Sequence, residues 1–521
     1  MNCHLNIAIL MGALLWSLAA QAQSSEPVAP WPQANGPSGN YTPRPDTLEW
    51  IDDCADARLF WLSETKDLGY AKGSASGYLQ NLARWEGHPG SSSGPIVADG
   101  KLFVTTFRPA GDPWAENQGQ LKNLAQSNKP STDEERARMQ ANLRILADDL
   151  LVAIDASNGK TVWTAVEHGQ GLNRYMGKRQ GFCVSPAWHD GKVFSLGTTG
   201  ILRAFQSDNG TKLWEANIGP AHQQALEHQA KVLEKKVLPG GMGWDASLVV
   251  AAGVLVVPLF DGPDLSLRGV HVDTGETLWE VPKTCSRHAT PAVWTDQDRQ
   301  YLVTATVSGK LRMIDPSSGK VLWTVQGLGP NHFSLTPSAR HVFVNAGSQR
   351  LRKAGSTQTY GLLAAYELDP SGAKLTWTHP ERSELYFSTW MDSCARQFLA
   401  VADGKLYYRA HGIEKSDGFF HVVDATNGEV LASMKIHSPA LQFYPVGNRL
   451  LTIRDASHRE TELAFLFVER NQVKLLADFW HPPHANTTAY EVYMEHPVVA
   501  GRIYLRTGDG RVACYDLRET K

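Results

Sequence analysis

The phrase VAIDASNGKTVW, ending on Trp163, returns as RAFQSDNGTKLW (203–214), GVHVDTGETLW (269–279) and RMIDPSSGKVLW (312–323). Each copy reads as a strand, a turn built on residues such as Asp155, Asn158 and Gly159, and a second strand ending on tryptophan. A unit of this size cannot bury its own apolar face, so it must stack on copies of itself. Trp377 continues the series, and the intervals between successive tryptophans run from 44 to 65 residues. A four-stranded blade takes about 40 to 50 residues, so each interval holds one blade plus loops. Two weaker copies, FHVVDATNGEVLASM (420–434) and AFLFVERNQVKLLADFW (464–480), carry leucine near the tryptophan position.

The two ends complete each other. ARLFWLSETKDLG, from Ala57, looks like the last part of a repeat with nothing in front of it, whereas GRIYLRTGDGRVACYDLRET (501–520) looks like a first part after which the chain stops. A final blade that takes its outer strand from the N-terminal end would close a ring and remove the sheet edges an open stack exposes. The predicted fold is therefore all-β: an eight-bladed propeller over 57–521 with tryptophan-docked repeats. Before it come a leader, 1–22, and an extended leading segment, 23–56. The rings of Trp163, Trp214, Trp279, Trp323 and Trp377 are assigned to core packing.

A chain of 521 residues is too long for one ordinary core, which agrees with a repeat ring. Its 45 Gly, 28 Pro and 16 Trp beside 20% charged residues suit many short strands joined by tight turns. With a net charge of −3 there is no cationic excess to neutralise phosphates, so nucleic acid is not an expected partner. Ile7 to Ala20 is an apolar run that ends in the small-x-small signature Ala20-Gln21-Ala22. It is shorter than the ~20 residues that span a bilayer and reads as a secretory leader cut after Ala22, which makes the mature chain periplasmic or secreted with no transmembrane segment. Of the six cysteines, Cys3 leaves with the leader. The remaining five cannot all pair with one another, and their spacing neither chooses partners nor forms a CxxC site, so buried thiols are expected.

Pro30 to Pro45, PWPQANGPSGNYTPRP, cannot be a central strand and is expected to cross the surface of the fold. Two helical insertions are expected over one face, at about 109–149 and 220–239. In the first, Ser131 or Thr132 caps a helix with Asp133, Glu134 and Glu135 in its first turn, and Met139, Leu143 and Leu146 follow at helical spacing. In the second, Leu226, Ala230 and Leu233 repeat before a proline.

The phrases AIDASNGKTVW, VHVDTGETLW and MIDPSSGKVLW resemble the tryptophan-docking repeat AxDxxTGKxxW of the pyrroloquinoline quinone (PQQ) propellers. The segment WPQANGPSGNYTPRP resembles the leading WPQWRGPNRxG of secreted bacterial PQQ-like proteins. The resemblance covers nearly the whole mature chain and implies the propeller fold. It implies no single activity, because the family holds both quinoprotein alcohol dehydrogenases and cofactor-free propellers such as the outer-membrane assembly factor BamB.

Gly240-Gly241-Met242-Gly243-Trp244-Asp245 is similar to the GGxxWD segment whose tryptophan forms the floor under PQQ, so Trp244 and Asp245 are the candidates for cofactor binding. The family's adjacent-cysteine pair has no counterpart, and its Ca²⁺ ligands and catalytic Asp are not matched. Aligning the inner strands on SPAW, TPAV and TPSA places Ser92, Cys183, His288 and Ser334 at one level, three residues before a proline, with Met494 near it. Together with His332, Arg396 and His496 these are the candidates for lining the central channel. No HxH or HxxxH pair marks a metal site, and catalytic residues are not assigned. Two functions of different class follow: a non-catalytic binding or scaffold protein for a protein or a polymer such as a polysaccharide, needing no cofactor, and a PQQ- and Ca²⁺-dependent alcohol or sugar dehydrogenase around Trp244. The first is preferred.

Overall fold

The structure, a computed structural model, describes residues 30–45, 47–69, 88, 90, 93–113, 131–142, 144–173, 184–219, 223, 226, 227, 230, 231, 234, 246–287, 289–331, 334–350, 359–379, 387, 388, 399–411, 418–436, 441–456, 460–469, 472–484 and 495–519. Its strands form eight four-stranded antiparallel sheets. Blade 1 holds Ile96–Ala98, Lys101–Pro113, Arg144–Asp155 and Thr161–Leu172, and blade 2 holds Ala187–His189, Lys192–Leu196, Ile201–Gln206 and Lys212–Asn217. Blades 3 and 4 begin at Val249–Ala251 and Ala292–Asp296. Blade 5 departs from the pattern: His341–Arg350, Thr359–Asp369 and Gly372–Thr378 pair in order, and Phe387–Ser388 adds to the middle strand. Blades 6 and 7 begin at Leu399–Ala402 and Leu441–Val446. Blade 8 joins Val498–Val499, Arg502–Arg506 and Val512–Asp516 to the N-terminal strand Arg58–Leu62, which pairs with Val512–Asp516. The ring is therefore closed by strands from both ends of the chain.

The tryptophan of each phrase docks on the turn of the next blade. The indole Nε1 of Trp163 donates to Ser207 O at 2.9 Å, Trp214 to Val272 O at 3.0 Å, Trp279 to Pro316 O at 2.7 Å and Trp377 to Ala425 O at 3.1 Å. Trp61 does the same across the closure, to Ala156 O at 3.0 Å. The turn glycine lies under the ring. A Cβ on Gly210 would sit 2.6 Å from Trp163, and Gly159, Gly275, Gly319 and Gly428 meet the ring of the preceding blade in the same way. These glycines also have positive φ, so conformation and close approach select the same residue. A docked ring of this kind stabilises by a few kcal/mol through burial. Where the phrase lacks its tryptophan, other rings fill the interface: Phe420 meets Phe443 between blades 6 and 7, and Trp480 meets Tyr515 edge-on between blades 7 and 8.

Residues 31–43 of the leading segment are largely buried where a surface path was expected, whereas Arg44, Pro45, Thr47 and Glu49 are exposed. The segment follows the inner edges of blades 1 to 6 in order and then passes by blades 7 and 8 toward the closing strand. Trp31 exchanges backbone hydrogen bonds with Val97 of blade 1 at 2.7 and 2.9 Å, and Pro32 O accepts from the Trp188 N–H of blade 2 at 2.7 Å. Gln33 Oε1 accepts from Val250 N–H of blade 3 at 2.8 Å. Asn35 Nδ2 donates to Pro291 O ahead of blade 4 at 2.9 Å, and Asn40 Nδ2 to Pro337 O ahead of blade 5 at 3.5 Å. Thr42 Oγ1 then donates to Val401 O of blade 6 at 3.3 Å, Arg449 of blade 7 donates to Trp50 O, and Ile51 N–H donates to Leu517 O beside blade 8 at 3.0 Å. Trp31, Ala34, Asn35, Tyr41 and Trp50 are buried. The physical reason is that the inner strands leave one edge without a partner in their own sheet, and a proline-rich segment can satisfy such edges one bond at a time.

Within 109–149 the helix is Asp133–Asn142, and Thr132 Oγ1 accepts from Glu135 N–H at 3.1 Å. Met139 is buried, but Leu146 is not part of a helical face: it pairs with Ala110 in the ladder between Lys101–Pro113 and Arg144–Asp155, because those strands extend into the insertion. Of the second insertion, Gln223, Leu226, Glu227, Ala230 and Lys231 have helical backbone, and Leu226 and Ala230 are exposed where an apolar face was expected. Leu143 and Leu233 lie outside the described residues. Cys54, Cys285 and Cys514 are free and buried, and burial pushes all three thiols up, Cys514 to about 12.

Candidate functional site

In blades 1 to 4, 6 and 7, whose four strands pair in chain order, the first-to-second and third-to-fourth turns share one face of the ring. The second-to-third connections and the blade-to-blade connections emerge on the other, so both insertions leave the ring from that second face. Each candidate from the sequence falls, in chain order, between the last strand of one blade and the first of the next. Ser334 and His496 are among the described residues and are fully buried. Ser92, Cys183, Trp244, Asp245, His288, His332, Arg396 and Met494 lie outside them.

The described residues beside these candidates form a directional circle of hydrogen bonds at the foot of the inner strands. Gly94 N–H donates to Ser185 Oγ at 2.9 Å, Ser185 N–H to Ser247 Oγ at 3.3 Å, Ser247 N–H to Thr290 Oγ1 at 3.0 Å and Thr290 N–H to Ser334 Oγ at 3.0 Å. Thr336 Oγ1 continues it to Leu399 O at 2.9 Å. Blades 1 to 4 thus each give a backbone donor to a hydroxyl on the next. From the other side, His496 N–H donates to Tyr444 OH at 3.1 Å, which donates to Gln442 Oε1 at 3.2 Å, and burial holds the Tyr444 phenol far above its ordinary range. One carboxylate reaches the circle: Ser185 Oγ donates to Glu495 Oε2 at 2.8 Å, and a Cβ on Gly94 would sit 2.6 Å from that oxygen. The buried Arg506 guanidinium, donating to Ser93 O at 3.1 Å and Leu68 O at 2.7 Å, ties blade 8 to the approach into blade 1.

A cleft of about 320 Å³, counted out to its open mouth, lies between blades 1 and 2. Phe205, Leu151 and Ala165 line it on the apolar side, and Asp149, Glu167, Arg203, Thr105 and Thr106 on the polar side. Arg203 is buried; it approaches Asp149 at 3.8 Å, Glu167 at 3.7 Å and Glu215 at 3.6 Å and bonds Gln170. Asp149 Oδ1 accepts from Thr198 N–H at 3.0 Å and Thr198 Oγ1 at 2.6 Å. Lys212 beside Glu215 and Glu167 is raised by its bond to Glu215, and the same bond lowers Glu215. Nearer the rim, His88, Asp67, Arg108, Asp148 and His168 form a chain of contacts at 2.6 to 3.4 Å. Burial would raise Asp67, but its bonds to His88 and Arg108 and their charges hold it below the usual carboxylate range.

Glu495 and Arg203 were not legible as site residues in the sequence. A signal for Arg203 did exist: the repeats place Arg203, Arg268 and Arg312 at one register, and Glu215 and Glu280 directly after the tryptophan. These are cross-strand neighbours, Arg203 opposite Glu215 and Arg268 opposite Glu280. All three arginines reach the outer strand of the preceding blade, Arg268 through Asn217 O at 3.4 Å and Arg312 through Lys283 O at 2.9 Å.

A quinone with Ca²⁺ requires a flat floor and several free oxygen ligands. Among the described residues the foot offers one carboxylate, whose Oε2 already accepts from Ser185, and hydroxyls committed between blades. This set does not by itself fit the group, and Trp244 and Asp245 lie outside it.

The family model described as outer membrane protein assembly factor BamB matches residues 80–237 and 263–443. A polyvinylalcohol dehydrogenase from Pseudomonas sp is 24% identical over 269 residues, and the aligned part is 40% of this chain and 40% of that protein. Among solved structures, the quinohemoprotein alcohol dehydrogenase from Comamonas testosteroni has a TM-score of 0.51 at 13% identity, over 97% of this chain and 83% of that one. A europium-containing methanol dehydrogenase has a TM-score of 0.50 at 12% identity, over 93% and 91%. At these identities the structural likeness shows the propeller fold alone.

Proposed function

The chain belongs to the family described as outer membrane protein assembly factor BamB, and from that membership we propose that it is an exported, non-catalytic propeller that binds a protein or polymer partner on the face bearing the insertions. The observation that carries this reading is the hydrogen-bond circle of Ser185, Ser247, Thr290 and Ser334. Its hydroxyls serve contact between blades, so these four inner polar groups are committed to the scaffold. The helix Asp133–Asn142 and the helical residues Gln223, Leu226, Glu227, Ala230 and Lys231 distinguish their blades from the others, and the partner would meet them together with the channel candidates around Trp244 and His288. Export rests on the leader-like residues 1–22. Among the described residues no helix is long and apolar enough to cross a membrane.

The second reading, a PQQ-dependent dehydrogenase with Trp244 and Asp245 at the cofactor, is favoured by the likeness to a polyvinylalcohol dehydrogenase. Titrating purified protein with PQQ and Ca²⁺ separates the two. The expected result is no stoichiometric quinone complex and no dye reduction with alcohols or sugars. A tight complex that Trp244→Ala abolishes would establish the second reading instead.

A further inference from the structure

We propose, on the reading of the chain as a non-catalytic binding propeller, that the cleft between blades 1 and 2 is a subsite for a neutral hexose polymer. It takes the hydroxymethyl group of one sugar unit while the ring stays outside. The cleft opens toward the face from which the insertions leave, since Gly197 on its wall begins the second-to-third turn of blade 2. Thr106, Leu151, Ser195, Arg203 and Phe205 on its walls are buried, whereas Ala165 and Glu167 keep partial exposure, so the mouth lies beside them. A cleft walled this closely admits a slender group rather than a whole ring.

The polar wall depends on one glycine. A Cβ on Gly197 would collide with Asp149 Oδ2 and sit 2.9 Å from Arg203 Nη1, so only glycine lets the two charged groups meet there. Buried charges of this kind add little net stability over apolar packing, and stability alone does not account for them. Arg203 Nε is buried and makes no hydrogen bond among the described residues: Glu167 at 3.7 Å and Glu215 at 3.6 Å lie beyond hydrogen-bond reach. A donor and a carboxylate acceptor thus stand side by side, and one oxygen placed against both would satisfy them. A hydroxyl is the group that accepts from the first and donates to the second. An anion is opposed, because Asp149, Glu167 and Glu215 outnumber Arg203 and Lys212, and an ammonium would have to lie against the Arg203 guanidinium. Leu151, Ala165 and Phe205 give the methylene that carries the hydroxyl an apolar wall.

Calorimetric titration of the full chain with cellohexaose and with xylohexaose tests this, because the two share a backbone linkage and xylose lacks the hydroxymethyl group. Cellohexaose is expected to bind at least ten-fold more tightly, since a site built to bond a hydroxyl rejects a ligand without it. Ala165→Leu fills the mouth and leaves the charged groups in place, and Glu167→Ala removes the acceptor. Each should weaken cellohexaose binding ten-fold or more and abolish the preference, with the melting temperature reporting that the variant is folded; should one not fold, the other decides. Binding of neither sugar, equal affinity for the two, or a preference that survives in a folded variant would overturn the proposal. Those outcomes leave the non-catalytic reading standing with a different partner, whereas a quinone complex abolished by Trp244→Ala would sink that reading whatever the cleft binds.

Discussion

At the scale of single residues, the repeat is decided by the meeting of one glycine with one indole. Gly210 and Gly191 are both at positive φ, +72° and +73°, but a Cβ on Gly210 would meet the Trp163 ring at 2.6 Å, whereas nothing lies within 4 Å of the Cβ position at Gly191. Gly191→Ala should therefore cost only the left-handed backbone penalty, about 1 kcal/mol. Gly210→Ala should cost roughly 2 kcal/mol more, because the docked ring must shift. Chemical denaturation of the two variants measures the difference, and equal losses would mean that the ring does not press on the turn. This pairing was legible from the phrase as a glycine beside a tryptophan. That the two partners come from different blades was not legible, because spacing within one repeat holds no information on which copy a side chain reaches.

At the scale of elements, the register that repeats the tryptophan also repeats an arginine. Arg203, Arg268 and Arg312 each bridge back to the preceding blade, and of these Arg203 is buried among Asp149, Glu167 and Glu215. Removing one partner of a buried pair strands the remaining charges, so Arg203→Ala is expected to destabilise by about 3 kcal/mol. Arg312→Ala, which leaves backbone carbonyls near solvent, should cost about 1 kcal/mol. Thermal unfolding compares them; equal effects would place Arg203 among the solvated pairs. The first insertion shows a different limit of the sequence. Helical spacing ran from Met139 to Leu146, but the strand beginning at Arg144 claims Leu146, since pairing with Ala110 extends an existing ladder. Local periodicity cannot anticipate a ladder whose other strand lies some thirty residues away.

At the scale of the whole molecule, closure rests on a single blade shared between the two ends. Asp516 sits at its seam, opposite Arg58 in the ladder and bonded by Arg518 at 2.8 and 2.6 Å. Burial would raise its pKa, but the bonds and charge of Arg518, with Arg502, hold it below the ordinary carboxylate range. A carboxyl depressed in the folded state contributes stability that is fully present above its unfolded value near 4 and is lost as pH falls through the lower folded value. Acidification from pH 5 toward pH 3 should therefore lower the melting temperature more for the wild type than for Asp516→Asn, which starts lower and falls less. Parallel curves would show that Asp516 does not govern the acid limb.

The sequence by itself determined the ring: the period fixed the blade, the unmatched ends fixed the closure, and the count of copies fixed eight, because these follow from local pattern and from the need of each copy to bury its face. Only the tertiary structure decided what lies at the centre. The leading segment, with its prolines and glycines, has no periodicity that could announce a seat, and it finds one because the inner strands of successive blades leave edges to be bonded. The foot circle and Glu495 likewise come from residues far apart in the chain, from Gly94 to Glu495, whose meeting is set by the geometry of the closed ring and by nothing local to any of them.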